Sequence, residues 1–168
     1  MPRISRLAVL ANPSDPLTRN QLKELNAAAP AVGLQLQLLN ATTIREVEGA
    51  FESMKRERAD ALFVAADPFL NGRAVQLAQL AAYHQLPATY ALRECAEVGG
   101  LMSYGANVGD AFRQLGAYTG RILKGTSPAN LPVVQASKFE LVINAGTARM
   151  LGLSVPPTLL SIADEVID

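Results

Sequence analysis

GGLMSYGANVGDAFRQLGAYTGRILKG, residues 99–125, is the stretch whose reading decides the fold. It reads as a strand, Leu101–Tyr104, a turn over 105–107, and a helix over 108–124 with Val108, Phe112, Leu115 and Ile122 on one face. Gly109, Gly116 and Gly120 each cost helix stability, which points to close packing against something. SPANLPV and the apolar run KFELVIN, 138–144, follow directly, so the chain leaves on a helix and comes back on a strand.

Working outward, the preceding hundred residues alternate strands with helices. Leu7–Ala11 and Ala61–Ala65 are uninterrupted apolar runs, as expected of parallel strands covered on both faces. Leu34–Asn40 alternates Leu with Gln and reads as a strand nearer an edge; Ala88–Leu92, after Pro87, is a short fourth strand. Asp15 before Pro16 suits a cap followed by the first helical residue, and the helix it opens runs to about 32, with Leu17, Leu22 and Leu25 inward and Gly33 as its stop. Thr43 and Glu46 form a capping box for a helix that buries Ile44, Val47, Phe51 and Met54. A helix is expected over 72–85, and Arg93–Gly99 is a short turn or helix. Two helices close the chain, about 145–151 and 157–167. The pattern predicts one α/β domain, a flavodoxin-like doubly wound parallel sheet of order 2-1-3-4-5. Residues 6–107 would form a core lobe, and 108–168 the crossing helix, return strand and C-terminal helices.

Composition excludes several classes. The 15 basic and 15 acidic residues balance, leaving no electrostatic footprint for nucleic acid. Tryptophan is absent and aromatics are sparse, so a base-stacking platform is not expected. The single cysteine, Cys95, precludes an internal disulfide and a cysteine zinc site, and its exchange for serine is expected to be silent. The single histidine, His84, has no cysteine or carboxylate cluster near it in sequence and reads as a helix histidine rather than a ligand. No cofactor and no metal site are expected. MPRISRLAVLANP reads as a buried strand rather than an export signal, its apolar run being too short.

Function is sought at the carboxyl ends of the strands, where open parallel sheets bind ligands. Those ends are polar here: 12–15, 40–43, 66–68, 93–94 and 103–107. Several precede helix N-termini, which favour anionic groups. Any one of these residues taken singly is more often a turn or cap residue, and it is as a set that they mark a binding rim. No G-x-G-x-x-G, Walker loop or G-x-S-x-G elbow is present, and no enzyme is predicted. Asp15 and Asp67 end strands as in Mg²⁺-binding receiver domains. The fifth strand, however, ends in Ser103-Tyr104-Gly105, where receivers place a lysine. Tyr104 is open to two readings, a stacking group or a core tyrosine.

RLAVLANP, ADALFVAADPF, LPATYALRECAEVGGLMSYG, GRILKGTSPANLPV and FELVINAGTARMLGLSVPPTLLSIADEVI together resemble the substrate-binding proteins of ABC transporters, in particular the tryptophan-type periplasmic solute-binding proteins. The likeness runs through essentially the whole chain; each piece alone is weak and the composite is specific. It implies the second lobe of a two-lobed type I periplasmic binding protein with its hinge returns, the first lobe being missing. It further implies a periplasmic or extracellular, membrane-associated location, a small polar solute such as an amino acid, and an ABC permease as partner. On that reading Asn12, Asp67, Arg93, Glu94, Ser103 and Tyr104 are the candidate ligand contacts. Asp67 or Glu94 would take an ammonium, Arg93 or a helix N-terminus a carboxylate, and Tyr104 would stack. Helix 108–124 would belong to the first lobe. Without that lobe it is expected either to fold back on its own sheet or, the favoured outcome, to dock on a second copy in a homodimer. The alternative is a free-standing flavodoxin-like sensory or regulatory module acting as a dimer.

Overall fold

The two uninterrupted apolar runs become central strands. A computed structural model describes residues 4–135 and 138–168. Strand β1 (Arg6–Ala11) lies between β2 (Gln35–Asn40) and β3 (Ala61–Val64), parallel to both. β4 (Ala88–Tyr90) and β5 (Met102–Ala106) continue the sheet in parallel. The first five strands thus stand in the order read from the sequence. The sheet then extends by two. β6 (Phe139–Asn144) pairs antiparallel with β5, and β7 (Glu165–Ile167) pairs parallel with β6, for a seven-stranded order β2-β1-β3-β4-β5-β6-β7.

Side chains alternate across a strand, so register assigns the faces. Ala8, Leu10, Leu62, Val64, Ala88 and Tyr90 look to one side. There they meet α2 (Ile44–Arg56), α3 (Pro68–Asn71), α4 (Ala74–Tyr83) and α5 (Arg93–Glu97) in a single core. Val47, Phe51 and Met54 supply the α2 contribution, whereas Ile44, in its first turn, stays exposed. On the opposite face Val9 and Ala11 are buried, as are Thr18 and Ala29 from α1 (Pro16–Ala28) and the 3₁₀ turn that continues it to Gly33. The expected inward Leu17 is instead 66% exposed and its neighbour Thr18 takes the buried place. Asp15 caps the helix through Leu17 N and Pro16 starts it, which fixes the helical phase one residue away from the leucine pattern.

The helix expected over 72–85 stands as α4, from Ala74 to Tyr83, and a short helix not read from the sequence precedes it: α3, capped by Asp67 and ended by Gly72. The terminal helix expected over 157–167 stops as α8 (Pro157–Leu160), and β7 follows. Pairing wins over helix propensity there: Asp164 exchanges backbone and side-chain bonds with Leu141 of β6, with Asp164 N donating to Leu141 O (2.9 Å) and Leu141 N to Asp164 Oδ2 (2.8 Å). The other terminal helix is α7 (Ala145–Met150). Of the turn or helix expected over 93–99, the helix is what forms. Cys95 sits on α5 inside the core, 2% exposed, and burial pushes its thiol pKa up to about 11. Cys95→Ser is therefore expected to cost about 1–3 kcal/mol by burying a hydroxyl, read as a lower urea midpoint, rather than to be silent.

Two carboxylates tie the opposite ends of the sheet. Glu46 accepts from Thr42 N and Oγ1 and from Thr43 N, completing the capping box. Asp60 accepts from Ser5 N, Ser5 Oγ and Arg6 N, pinning the start of β1 to the α2–β3 turn. Backbone bonds from Thr42 hold Glu46 below its usual value of 4.5, and those from Arg6 and Ser5 hold Asp60 below 3.8. A depressed folded-state pKa gives stability that is complete above the unfolded value and disappears as pH falls through the folded one. Urea midpoints are therefore expected to hold from neutrality to about pH 5 and then fall, and Glu46→Gln with Asp60→Asn to flatten that decline.

Candidate functional site

The carboxyl edge of the sheet is built from the ends of β1, β3, β4 and β5. At β1 and β3 the polar residues bond to each other. Asn12 Nδ2 donates to Asp67 Oδ2 (3.0 Å), and Asp67 Oδ1 accepts from Leu70 N (2.9 Å) as the cap of α3. Asp67 is buried and Asn12 half-buried. Gln21 of α1 reaches the same edge, its Oε1 accepting from Ala66 N (3.1 Å). This residue was not singled out in the sequence; nothing in a helical glutamine signals that it holds the end of a strand 45 positions away.

At β4 and β5 the arrangement is charged. Arg93 opens α5 and its guanidinium meets three carboxylates: Glu97 Oε1 through Nε (2.9 Å), Glu165 Oε2 through Nη2 (2.9 Å) and Glu140 Oε2 through Nη1 (3.4 Å). The hydrogen bonds to Glu97 and Glu165 raise its pKa further above its already high ordinary value. Arg93 is thus a neutralised cation, while its neighbour Glu94 is exposed. Ser103 is 1% exposed on β5, beside Tyr90 on the same face, and neither hydroxyl has a hydrogen-bond partner among the described residues. Ser103 therefore presents no surface to a ligand in this conformation.

Tyr104 differs from all of these. It is 61% exposed, stacked on the 51%-exposed Phe139 of β6 with ring centroids 6.0 Å apart and planes at 25°. β4 pairs with β5 only as far as Ser103, so Tyr104, Gly105 and Ala106 run on with β6 as their remaining paired strand. The rim thus holds an open aromatic pair on β5 and β6, and the exposed carboxylate of Glu94 in the first turn of α5, outside the ion pairs of Arg93. Of the six expected contacts, Asn12 and Asp67 are brought together, Arg93 and Glu94 stand in the first turn of α5, and Ser103 and Tyr104 lie on β5, with Ser103 facing inward. No cluster of His, Cys, Asp and Glu able to hold a metal occurs among the described residues.

From this ribbon the chain enters α6 (Val108–Leu123), capped by Asn107. No residue of α6 is buried among the described residues. Phe112 is 68% exposed, with Leu115, Ile122 and Leu123 also open to solvent. The helix has not folded back on its own sheet. A hollow of about 230 Å³ lies between it and the returning strand, lined by Asn107, Asp110, Gln114, Leu115, Tyr118 and Lys138. That hollow is beside α6 rather than over the strand ends. Burying four such apolar side chains is worth about 6–10 kcal/mol before entropy costs, which is a strong drive toward a covering partner.

A family profile described as ABC transporter substrate binding protein matches residues 1–167. No curated protein sequence matches the chain. Among solved structures, a conserved domain protein from Vibrio cholerae O1 biovar El Tor is similar at TM-score 0.87 and 24% identity, over 99% of this chain and 56% of that one. An ABC domain from Streptococcus pneumoniae in complex with L-Trp is similar at TM-score 0.87 and 26% identity, over 99% of this chain and 58% of that one. A ligand-free, open substrate-binding protein with adhesive properties from Clostridium difficile has TM-score 0.71 and 22% identity, over 99% and 55%. The chain therefore spans a little over half the length of each of these proteins.

Proposed function

Because the chain belongs to the family of ABC transporter substrate-binding proteins, we propose that it is the solute-capturing second lobe and hinge of an importer's receptor, with no catalytic role. Residues 6–107 form the lobe, and 108–168 supply the crossing helix, the return strand and the C-terminal wrap. The observation that carries this reading is α6. It leaves the sheet at the binding rim, buries nothing, and exposes an apolar face. The solved neighbours are longer than this chain by a comparable mass, so the part of them outside the match is a better cover for that face than a second copy of this chain. The permease and a periplasmic or extracellular setting follow from the family alone.

The solute is a small amino acid or close analogue with a flat or apolar side chain. The 26%-identical relative binds L-Trp, and the rim here offers ring faces rather than a free cation. Tyr104, Glu94 and Asn12 are the direct contacts: Tyr104 stacks, Glu94 takes the ammonium and Asn12 donates or accepts. Asp67, Arg93 and Ser103 stand behind them, Asp67 orienting Asn12 and Arg93 holding the edge in shape. Half a cleft offers half the contacts and cannot exclude water, so the chain by itself binds weakly. Amide chemical shifts of the 168-residue chain, followed while L-amino acids are added to millimolar levels, test the site. The expected result is shifts confined to 12–15, 66–68, 93–94 and 104–106, strongest for an aromatic amino acid and abolished by Tyr104→Ala. Shifts elsewhere, or none with any solute, would overturn it.

A further inference from the structure

We propose that Arg93, Glu140 and Asn107 form a clasp that sets the direction in which α6 leaves the sheet, and with it the angle between this lobe and whatever α6 carries. The consequence for solute capture rests on the reading above; the geometry does not. Glu140 lies on β6, opposite Gly105 of β5, and is nearly buried. Its Oε2 accepts from Arg93 Nη1 (3.4 Å) on the lobe side and from Asn107 Nδ2 (2.7 Å) on the helix side. Asn107 uses its other side-chain atom to cap α6, Oδ1 accepting from Asp110 N (2.7 Å). One carboxylate oxygen therefore joins a guanidinium anchored on α5 to the first turn of the crossing helix.

Two observations give this junction weight in setting the orientation, alongside the backbone bond from Asn107 N to Lys138 O (2.9 Å). Since α6 buries no residue, packing among the described residues does not hold it along its length, and beyond the first turn its side-chain tie to the returning chain among those residues is Tyr118 Oη donating to Pro132 O (2.7 Å). Meanwhile the lobe end of the clasp is firm. Arg93 is braced by Glu97 one turn along its own helix and by Glu165, which joins α5 to the edge strand β7. The clasp is a positioning device: its carboxylate is spent on Arg93 and Asn107, and it has little surface for a solute.

Pulsed electron–electron resonance reads the orientation directly in the 168-residue chain. Spin labels are placed at Glu48→Cys on α2 and Thr119→Cys on α6, both exposed. Cys95, buried and with its thiol pKa pushed up to about 11, stays unlabelled. The clasped chain is expected to give one narrow distance peak. Asn107→Asp keeps an oxygen that caps α6 but replaces the donor by an anion against Glu140. It is expected to shift the peak or broaden it about two-fold while α6 stays helical. Arg93→Gln is expected to do the same, and Glu97→Gln, which leaves Glu140 and Glu165 on Arg93, to do much less. An unchanged peak in Asn107→Asp would overturn the clasp, whether or not Arg93→Gln folds. No solute is present, so that outcome leaves the binding reading standing, and a failed solute titration leaves the clasp standing.

Discussion

Gly105→Ala is expected to lower stability by about 3 kcal/mol or to detach the crossing from the lobe, whereas Gly116→Ala is expected to raise stability by about 0.5–1 kcal/mol. The contrast comes from what each added methyl group meets. At Gly105 a Cβ would stand 2.0 Å from the carbonyl oxygen of Ala91 and 3.0 Å from its carbon. Both are backbone atoms, so no rotamer change relieves the clash. Either β5 moves away from the loop that leads into Arg93, or that loop moves. Each movement pulls Arg93 from Glu140. At Gly116, on exposed α6, nothing lies within 4 Å, and alanine simply removes backbone freedom from the unfolded chain. Urea unfolding of both variants gives the two signs. A neutral Gly105→Ala would show that the ribbon does not press on the β4–α5 loop.

Much of the fold was legible. The buried runs at Leu7–Ala11 and Ala61–Ala65 placed β1 and β3 in the interior of the sheet, and the Thr43–Glu46 box marked the start of α2. These signals are local, carried by burial on both faces or by a side chain reaching three residues. Thr18 shows the limit: leucines are spread around α1, and its capped start rather than its periodicity decides which residue turns inward. β7 shows it again, because the Asp164–Leu141 bonds that end the last helix join residues 23 apart.

The rim was legible as a place and less so in its chemistry. The rule that ligands meet the carboxyl ends of strands selected the segment that holds Tyr104, but not Phe139, its stacking partner on the return strand. Arg93, expected to take a solute's carboxylate, already meets three carboxylates of the protein. One of its carboxylates, Glu97, is an i,i+4 neighbour that the sequence displays, but Glu140 and Glu165 are 47 and 72 residues away and arrive through the sheet. Asp67, expected to take an ammonium, also caps α3 through Leu70 N and accepts from Asn12, a role set by the fold that the strand-end rule does not display.

The second large effect concerns affinity. With the apolar face of α6 covered and a second wall closing over the rim, the same residues are expected to bind the solute about a thousand-fold more tightly than the chain alone, a difference of ~4 kcal/mol. The gain has two sources. The opposite wall contributes contacts of its own, and closure removes water from the Tyr104–Phe139 pair and Glu94, which strengthens every polar contact there. Calorimetric titration of the isolated 168-residue chain with a panel of amino acids and related solutes is the direct measurement. It should show no binding in the micromolar range, and micromolar binding should emerge when the part of the longer relatives outside the match is joined to it. Micromolar binding by the isolated chain would contradict the half-cleft account.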